Sequence, residues 1–381
     1  MSQEEKYQKY YYLAFSAFEE GIGPLRFRKI LEKFKNAKAG WTASEKELNE
    51  ILPSNIVQKF LHFRSMFDLE RYILMLSKKN ISFLTWEDSS YPYLLKQISD
   101  PPPVLYIAGD WKENEWWTTD HKIAVVGSRI PTSYGCEMTE ILTRDLVEHG
   151  LVVVSGLANG IDTIVHKTAI ENKGKTIAVL GCGVDIVYPS KNKSLYEKIV
   201  DGNGCVISEM PLSHFASRAT FPARNRIISG LSKGVLMTEG AVDSGALITC
   251  SYAGEQGRDV FAVPGMVTSK LSAGTLGLLK KGAKLVLGVE DILEELGIGK
   301  QSHHTFSSYK NNIDNKDLSI KEKTILALVL AEELTIDDII RKSALPAREV
   351  CSYLSLLELK GYIKGYSGKY KYESDRCRIA D

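Results

Sequence analysis

Hydrophobic residues are spaced in three different ways along this chain. Between Tyr7 and about Met66 they recur every three or four positions, as in RFRKILEKF and ELNEILPSNIVQKFLHF, and no alternating run interrupts them. That is the period of helices with one buried face, and it predicts a small all-helical unit over residues 1–66. Within it, Gly21-Ile22-Gly23-Pro24 precedes a helix starting near Leu25. Proline there falls in the first turn, where its missing N–H costs nothing. The turn reads as a helix–helix connection, or as a helix-hairpin-helix whose free N–H groups meet a DNA phosphate; so short a signal favours the connection.

From residue 67 to 298 short β-branched runs alternate with helical stretches such as EMTEILTRDLVEHG. Strands are predicted at 81–86, 104–109, 122–127, 151–156, 176–181, 205–210, 234–239, 260–265 and 284–288. Runs like KIAVVG and LVVVSG are apolar at nearly every position, so both faces of each strand are buried. Helical crossovers between such strands imply a parallel sheet, with more strands than the six of the common dinucleotide fold. The polar stretch GKQSHHTFSSYKNNIDNKDLS breaks the pattern and predicts a linker over 299–318. Residues 319–381 then read helix, helix, turn, helix and a two-stranded wing. The predicted fold is α/β: an extended Rossmann-like, doubly wound, mostly parallel sheet, flanked by a small N-terminal helical domain and a C-terminal winged helix-turn-helix domain.

Composition narrows the function classes. At 381 residues, with 44% hydrophobic and 25% charged, the chain has the make-up of a soluble protein of two or three domains. No apolar run approaches the roughly 20 residues of a membrane span, so no membrane partner is expected. The start, MSQEEKYQKYYYLAF, lacks the basic residues and cleavage site of a secretory signal, and the cytoplasm is the expected location. Cys136, Cys182, Cys205, Cys250, Cys351 and Cys377 form no Cys-x-x-Cys pair and no Cys/His set. Buried thiols are therefore expected rather than disulfides or a metal site. A formal net charge of +1 exerts no general pull on a polyanion, so nucleic-acid binding has to rest on a local cluster of cations.

The chemistry concentrates at the carboxyl ends of the predicted strands, where ligands bind in open α/β sheets. Glycine loops stand there at Gly127-Ser128-Arg129, at Ser155-Gly156-Leu157-Ala158-Asn159-Gly160, at Gly181-Cys182-Gly183, and at Glu239-Gly240 with Asp243-Ser244-Gly245 shortly after. Glycine lets a phosphate approach the backbone, and the helix starts that follow offer free N–H groups. The dinucleotide fingerprint fails, because Gly127 is not followed by its second and third glycines, and there is no P-loop, nucleophile elbow or His-Glu-x-x-His. No catalytic residue, metal ligand or cofactor is assigned. Arg129, Lys191, Lys193, Arg218, Arg224 and Arg226 also follow strand ends and could converge on one mouth of the sheet. Guanidinium groups bind phosphate bidentately and stack on bases, which suits a single nucleic-acid strand. Arg224 and Arg226 suit equally well a structural role, paired with a sheet carboxylate such as Glu209 or Glu239.

Together GSRIPTSYG, SGLANGIDTIVHKTAI, TIAVLGCGVDIVYPSKNKSLYEKI, SEMPLSHFASRATFPARNRIISGLS and TEGAVDSGALITCSYAGEQGRDVFAVPG resemble the DNA-processing protein A family (DprA, also called Smf), over roughly residues 80–298. The resemblance implies a noncatalytic, Rossmann-like domain that binds single-stranded DNA, shields it, and helps load the RecA recombinase during natural transformation. It also implies a homodimer formed through that domain, a sterile-alpha-motif-like helical domain before it, and often a winged helix after it. The family's DNA pocket maps onto Gly127, Ser128, Arg129, Lys193, Arg224, Asn225 and Arg226. Gly156, Asn159, Ser244 and Gly245, from the glycine loops, complete the set of expected DNA-binding residues. Two positions depart from the family: Asn159 replaces a basic residue, and Leu276 replaces a familiar asparagine.

The competing reading is a nucleotide-acting enzyme of the phosphoribohydrolase type, with Glu239 and Asp162 as carboxylate catalysts. Against it, TEGAVDSGALIT stands where those enzymes carry Pro-Gly-Gly-x-Gly-Thr-x-x-Glu. In the winged helix, a helix starting near Pro346 would turn Arg348 and Ser352 toward a groove, with Tyr353, Leu356 and Leu357 in the core. Nearly balanced charge favours protein contact or weak duplex-DNA binding there over sequence readout.

Overall fold

The computed structural model describes residues 3–112, 115–298, 318–332, 334–360, 362–366 and 368–372. All nine expected strands form: β1 Ile81–Thr85, β2 Val104–Gly109, β3 Lys122–Val126, β4 Val152–Ser155, β5 Thr176–Val179, β6 Gly204–Ser208, β7 Gly234–Met237, β8 Asp259–Ala262 and β9 Lys284–Leu285. They hydrogen-bond into one sheet in the order β1-β2-β6-β5-β4-β3-β7-β8-β9. Every pairing from β6 to β9 is parallel, and β2 alone runs against both of its neighbours. Strands β3, β4 and β5 stop before Gly127, Gly156 and Gly181, so the glycines sit in the loops rather than in the ladder.

The order shows how the sheet is wound. From β3 the chain lays β4, β5 and β6 to one side, then returns to set β7, β8 and β9 on the other. The direction reverses between β3 and β7, which makes the crevice beyond their carboxyl ends the topological switch point.

Continuous apolar runs in the sequence correspond to strands buried on both faces. Ile177 and Val179 of β5 join a core with Val126, Val154, Ile227 and Ile228, while Ala178 joins Leu157, Leu180 and Val206 on the opposite face. The same division recurs at the sheet's antiparallel edge. Leu105 and Ile107 of β2 belong to the central core, whereas Val104, Tyr106 and Ala108 pack with the N-terminal helices. Those helices therefore share an apolar cluster with the sheet instead of closing a core of their own. Helical structure also runs past residue 66, because the helix Leu69–Lys78 is restarted by Asp68, whose side chain accepts the Arg71 N–H. Pro24 opens the helix Pro24–Phe34 directly after Gly23, as its position in the sequence requires.

The C-terminal unit has the helices Ile320–Ala331, Ile336–Ser343 and Ala347–Leu359 and the strands β10 Leu334–Thr335, β11 Ile363–Tyr366 and β12 Lys369–Tyr372. The wing is three-stranded rather than two, in the order β10-β12-β11. Its core includes Ile325, Ile339, Val350, Leu354, Leu357 and Leu318. Residues 299–317 of the expected linker lie outside the described residues, and Leu318, expected to end it, is buried instead. Helical spacing explains two further corrections. Val350, Leu354 and Leu357 form the buried stripe, which leaves Leu356 exposed and places Cys351 on the surface. Tyr353 packs against the core. Cys136, Cys182, Cys205 and Cys250 are buried free thiols, and Cys377 lies outside the described residues. Among the described residues no helix is long and apolar enough to cross a membrane, and no group of His, Cys, Asp or Glu stands where it could hold a metal ion.

Candidate nucleic-acid interface

Beyond the ends of β3 and β7 the sheet opens into a groove of about 690 Å³. Its base is built by backbone. Ser128 N–H donates to the Glu239 carbonyl (2.8 Å), tying the loop after β3 to the loop after β7, and Ile161 N–H donates to the Ser128 carbonyl (3.0 Å). The second contact brings the loop after β4 against the first. Gly160 makes it possible: its φ is 78°, and a Cβ there would lie 2.3 Å from the Ser128 oxygen.

Three arginines reach the groove from two different loops and one helix. Arg129 follows β3, Arg218 lies in the connection after β6, and Arg224 belongs to the helix Thr220–Gly230. Arg129 is exposed, and its guanidinium lies 5.6 Å from the centre of the Phe221 ring. Phe221 in turn lies 5.5 Å from the ring of Tyr188, which is 51% exposed. Among the described residues neither Arg129 nor Arg218 makes an ion pair. Asp162 and Asp243 are the carboxylates that also border the groove.

Arg224 is held differently. It is buried, and its Nη1 donates to the carbonyls of Gly156 (2.7 Å) and Val179, at the ends of β4 and β5. Gly156 leaves room for this, since a Cβ would meet Nη1 at 2.1 Å. The Arg224 Nε is buried and finds no partner among the described residues. Burial pushes the Arg224 pKa down and Arg129 adds to that, while Asp162 opposes both. Asp162 is itself buried, and its Oδ2 accepts the N–H groups of Gly156 (3.1 Å) and Ala158 (3.3 Å). Burial raises its pKa against the pull of Arg224. The groove wall is therefore cationic at its rim, with a partly neutralised Arg224–Asp162 layer beneath.

The expected residues separate cleanly. Gly127, Ser128, Arg129, Arg224, Asn225, Ser244 and Gly245 border the groove, and Arg218 joins them. Gly156, Asn159, Lys193 and Arg226 do not. For Arg226 the structure corrects the expectation of a DNA-facing cation. Its Nη atoms grip Glu209 bidentately (2.8 and 2.7 Å), its Nε donates to Asp100 (2.8 Å), and the residue is 5% exposed. Burial alone would lower its pKa, but Glu209 and Asp100 outweigh that and hold it above the ordinary arginine value. Lys193 starts the helix Lys193–Lys198 and sits exposed, 4.0 Å from Glu197 one turn on. Asn159 is exposed in the turn before Gly160, and Gly156 serves as an acceptor for Arg224. Of the two carboxylates of the enzyme reading, Asp162 borders the groove and the buried Glu239 does not.

Sequence reasoning missed Phe221 as a partner of Arg129. Its signal was an aromatic residue set among cations in SRATFPARNR, a composition that suits stacking on bases. It also missed the lining from Ile228, Thr249 and Leu271, which belong to the helices Thr220–Gly230 and Ala246–Glu255 and to a short helical turn at Lys270–Ser272.

Comparison with known proteins identifies the family. Residues 82–297 match the family described as DNA recombination-mediator protein A, and residues 314–369 match the DprA winged helix domain. Protein Smf of Synechocystis is 34% identical over 387 residues, covering 94% of this chain and 97% of its own length. The DNA processing protein DprA of Bacillus subtilis is 40% identical over 228 residues, 60% of this chain and 75% of its own. Among solved structures, DNA processing protein A of Streptococcus pneumoniae superposes with a TM-score of 0.64 at 36% identity, covering 77% of this chain and 99% of that one. The Helicobacter pylori protein, solved to explain its single-stranded DNA binding mode, gives a TM-score of 0.50 at 30% identity, covering 56% and 95%. With its central sheet, its winged helix and nearly its whole length matched in this way, the chain belongs to the DNA recombination-mediator protein A family, whose members carry the names DprA and Smf.

Proposed function

We propose that the switch-point groove binds single-stranded DNA and that the protein is a noncatalytic DNA-processing factor. The observation that carries this reading is the convergence of Arg129, Arg218 and Arg224 on one glycine-floored groove, with Arg129 and Arg218 free of carboxylate partners among the described residues. Unpaired guanidinium groups at a rim neutralise phosphates and release their counterions. Phe221 and the exposed Tyr188 favour a single strand over a duplex, because rings of this kind stack on bases that are already splayed. The Helicobacter pylori relative's single-stranded DNA binding supports the same ligand class.

Anisotropy titration with oligo-dT tests the proposal. The logarithm of affinity should fall with the logarithm of salt at about −0.7 per phosphate contacted. Arg129→Ala should flatten that slope by roughly one contact. No binding, or an unchanged slope in the variant, would count decisively against the groove.

Family membership supports a wider role. We infer that the protein works in the cytoplasm as a homodimer, shields incoming single strands and helps load RecA, with the winged helix contacting protein or, weakly, duplex DNA. Acceleration of RecA filament formation on strands already coated by a single-strand-binding protein would test the loading role, and light scattering would test the dimer.

A further inference from the structure

Residues 209–219 connect β6 to the helix Thr220–Gly230 and bring Arg218 to the edge of the groove. The near end of this connection is gripped by the N-terminal helices, none of which borders the groove. Leu212 N–H donates to the Tyr72 hydroxyl (3.1 Å), which donates onward to the Tyr106 hydroxyl (3.2 Å), itself 3.0 Å from Ser16 Oγ. One buried hydroxyl chain thus links two N-terminal helices, β2 and the connection. Leu212 is buried in the same apolar cluster as Tyr72. His214 Nδ1 donates to Glu19 Oε1 (2.6 Å). Between them Ser213 holds a φ of 64°, in the left-handed region that disfavours a side chain. Its N–H donates to Asp185 (2.9 Å), and Asp185 is held by Lys79 (2.7 Å), just past the helix Leu69–Lys78.

A connection of this length pays backbone entropy for each residue it orders, and a left-handed serine adds strain. Both persist where the surroundings over-determine them. Here the surroundings are Tyr72 of the helix Leu69–Lys78, Glu19 of the turn after the first helix, and Asp185 of the loop after β5, itself held by Lys79, clustered on residues 212–214 just ahead of Arg218 and Phe221.

We propose that Tyr72 and Glu19 are positioning residues for the groove. They hold the connection so that Arg218 and Phe221 stand where a DNA strand meets them, and the N-terminal helical unit thereby sets affinity for a ligand it does not touch. The inference rests on the groove being the DNA site.

The experiment uses the full-length chain and oligo-dT, with the variant Glu19→Ala/Tyr72→Phe, the variant Arg218→Ala, and the two combined. Expected are affinity about fivefold weaker in the first, faster hydrogen exchange at amides 216–219, and a combined variant that loses less than the sum of the two separate losses, since Arg218 is one of the two groups positioned. Glu19→Gln, which keeps an oxygen for the His214 N–H, should retain wild-type affinity. Full additivity with Arg218→Ala would reduce the contacts to ordinary packing and overturn the proposal. So would unchanged exchange in the connection, or faster exchange with unchanged affinity; in both cases intact wild-type binding and a weakened Arg129→Ala leave the groove itself standing. Failure of the wild type to bind oligo-dT sinks the groove, and the positioning role with it.

Discussion

The switch-point groove and the winged helix both carry arginines and lysines, but four of those in the winged helix are paired within their own unit, whereas among the described residues the two rim arginines of the groove are not. In the winged helix, Lys321 faces Glu349, Arg341 faces Asp338, Lys342 faces Glu332 and Lys360 faces Glu322. At the groove, Arg129 and Arg218 have no such partners among the described residues. A cation neutralised within its own unit adds a little to the fold and offers little to a polyanion. A cation left open beside a glycine-floored groove adds nothing to the fold and becomes useful when phosphate arrives. Within one turn of the helix Thr220–Gly230, Arg224 is tied to strand-end carbonyls at the groove wall, while Arg226 is captured by Glu209 and Asp100.

The largest test of this contrast is Arg226→Met. It strands Glu209 and Asp100 without their cation and should cost about 3–5 kcal/mol in urea unfolding. The salt slope for oligo-dT measured on the folded fraction should not change, and a slope reduced by one contact would place Arg226 among the DNA ligands after all.

Acidification separates the two regions next. His166 is buried beside Thr176 (2.7 Å), and burial, with a smaller push from Arg224, lowers its pKa from 6.5 to about 3. The fold therefore favours the neutral ring. Its contribution is complete above about pH 6.5 and declines as pH falls toward 3, by about 1.4 kcal/mol per pH unit, or about 2 kcal/mol by pH 5. Glu322 behaves in the opposite sense: the Lys360 hydrogen bond, with help from Ser319, lowers its pKa from 4.5 to about 2. Its contribution stays intact at pH 5 and is lost only as pH falls from about 4.5 toward 2. Unfolding of His166→Gln between pH 6.5 and 5 should show a flatter decline than wild type.

Smaller is the effect of Arg129→Ala, about tenfold in oligo-dT affinity, or about 1.4 kcal/mol, with thermal stability unchanged. Smallest is Lys342→Ala in the winged helix. Its pair with Glu332 is exposed, so stability should move by less than about 0.5 kcal/mol and the oligo-dT slope should stay constant. A larger loss of single-strand affinity there would erase the distinction between the two regions.

Much of this architecture is legible in the sequence. The nine strands announced themselves as short apolar runs closed by a glycine or an acidic turn, most clearly in β3 to β7, where burial on both faces leaves few polar positions to obscure the pattern. The loops that build the groove were equally visible, since glycines and cations recur where the apolar runs stop. Less legible was which cation goes where. Arg224 and Arg226 are two residues apart in a helix, so they point in different directions, but nothing local says that one meets strand-end carbonyls and the other two carboxylates.

Local composition and period thus determined the elements, the parallel winding and the set of candidate cations, since those depend on neighbours a few positions away. Tertiary structure alone decided which cations remain open. Asp100 lies 126 positions from Arg226, and Tyr72 lies 140 from Leu212. Contacts of that reach depend on how strands are ordered in the sheet, and the charge left for a ligand is whatever those contacts do not neutralise.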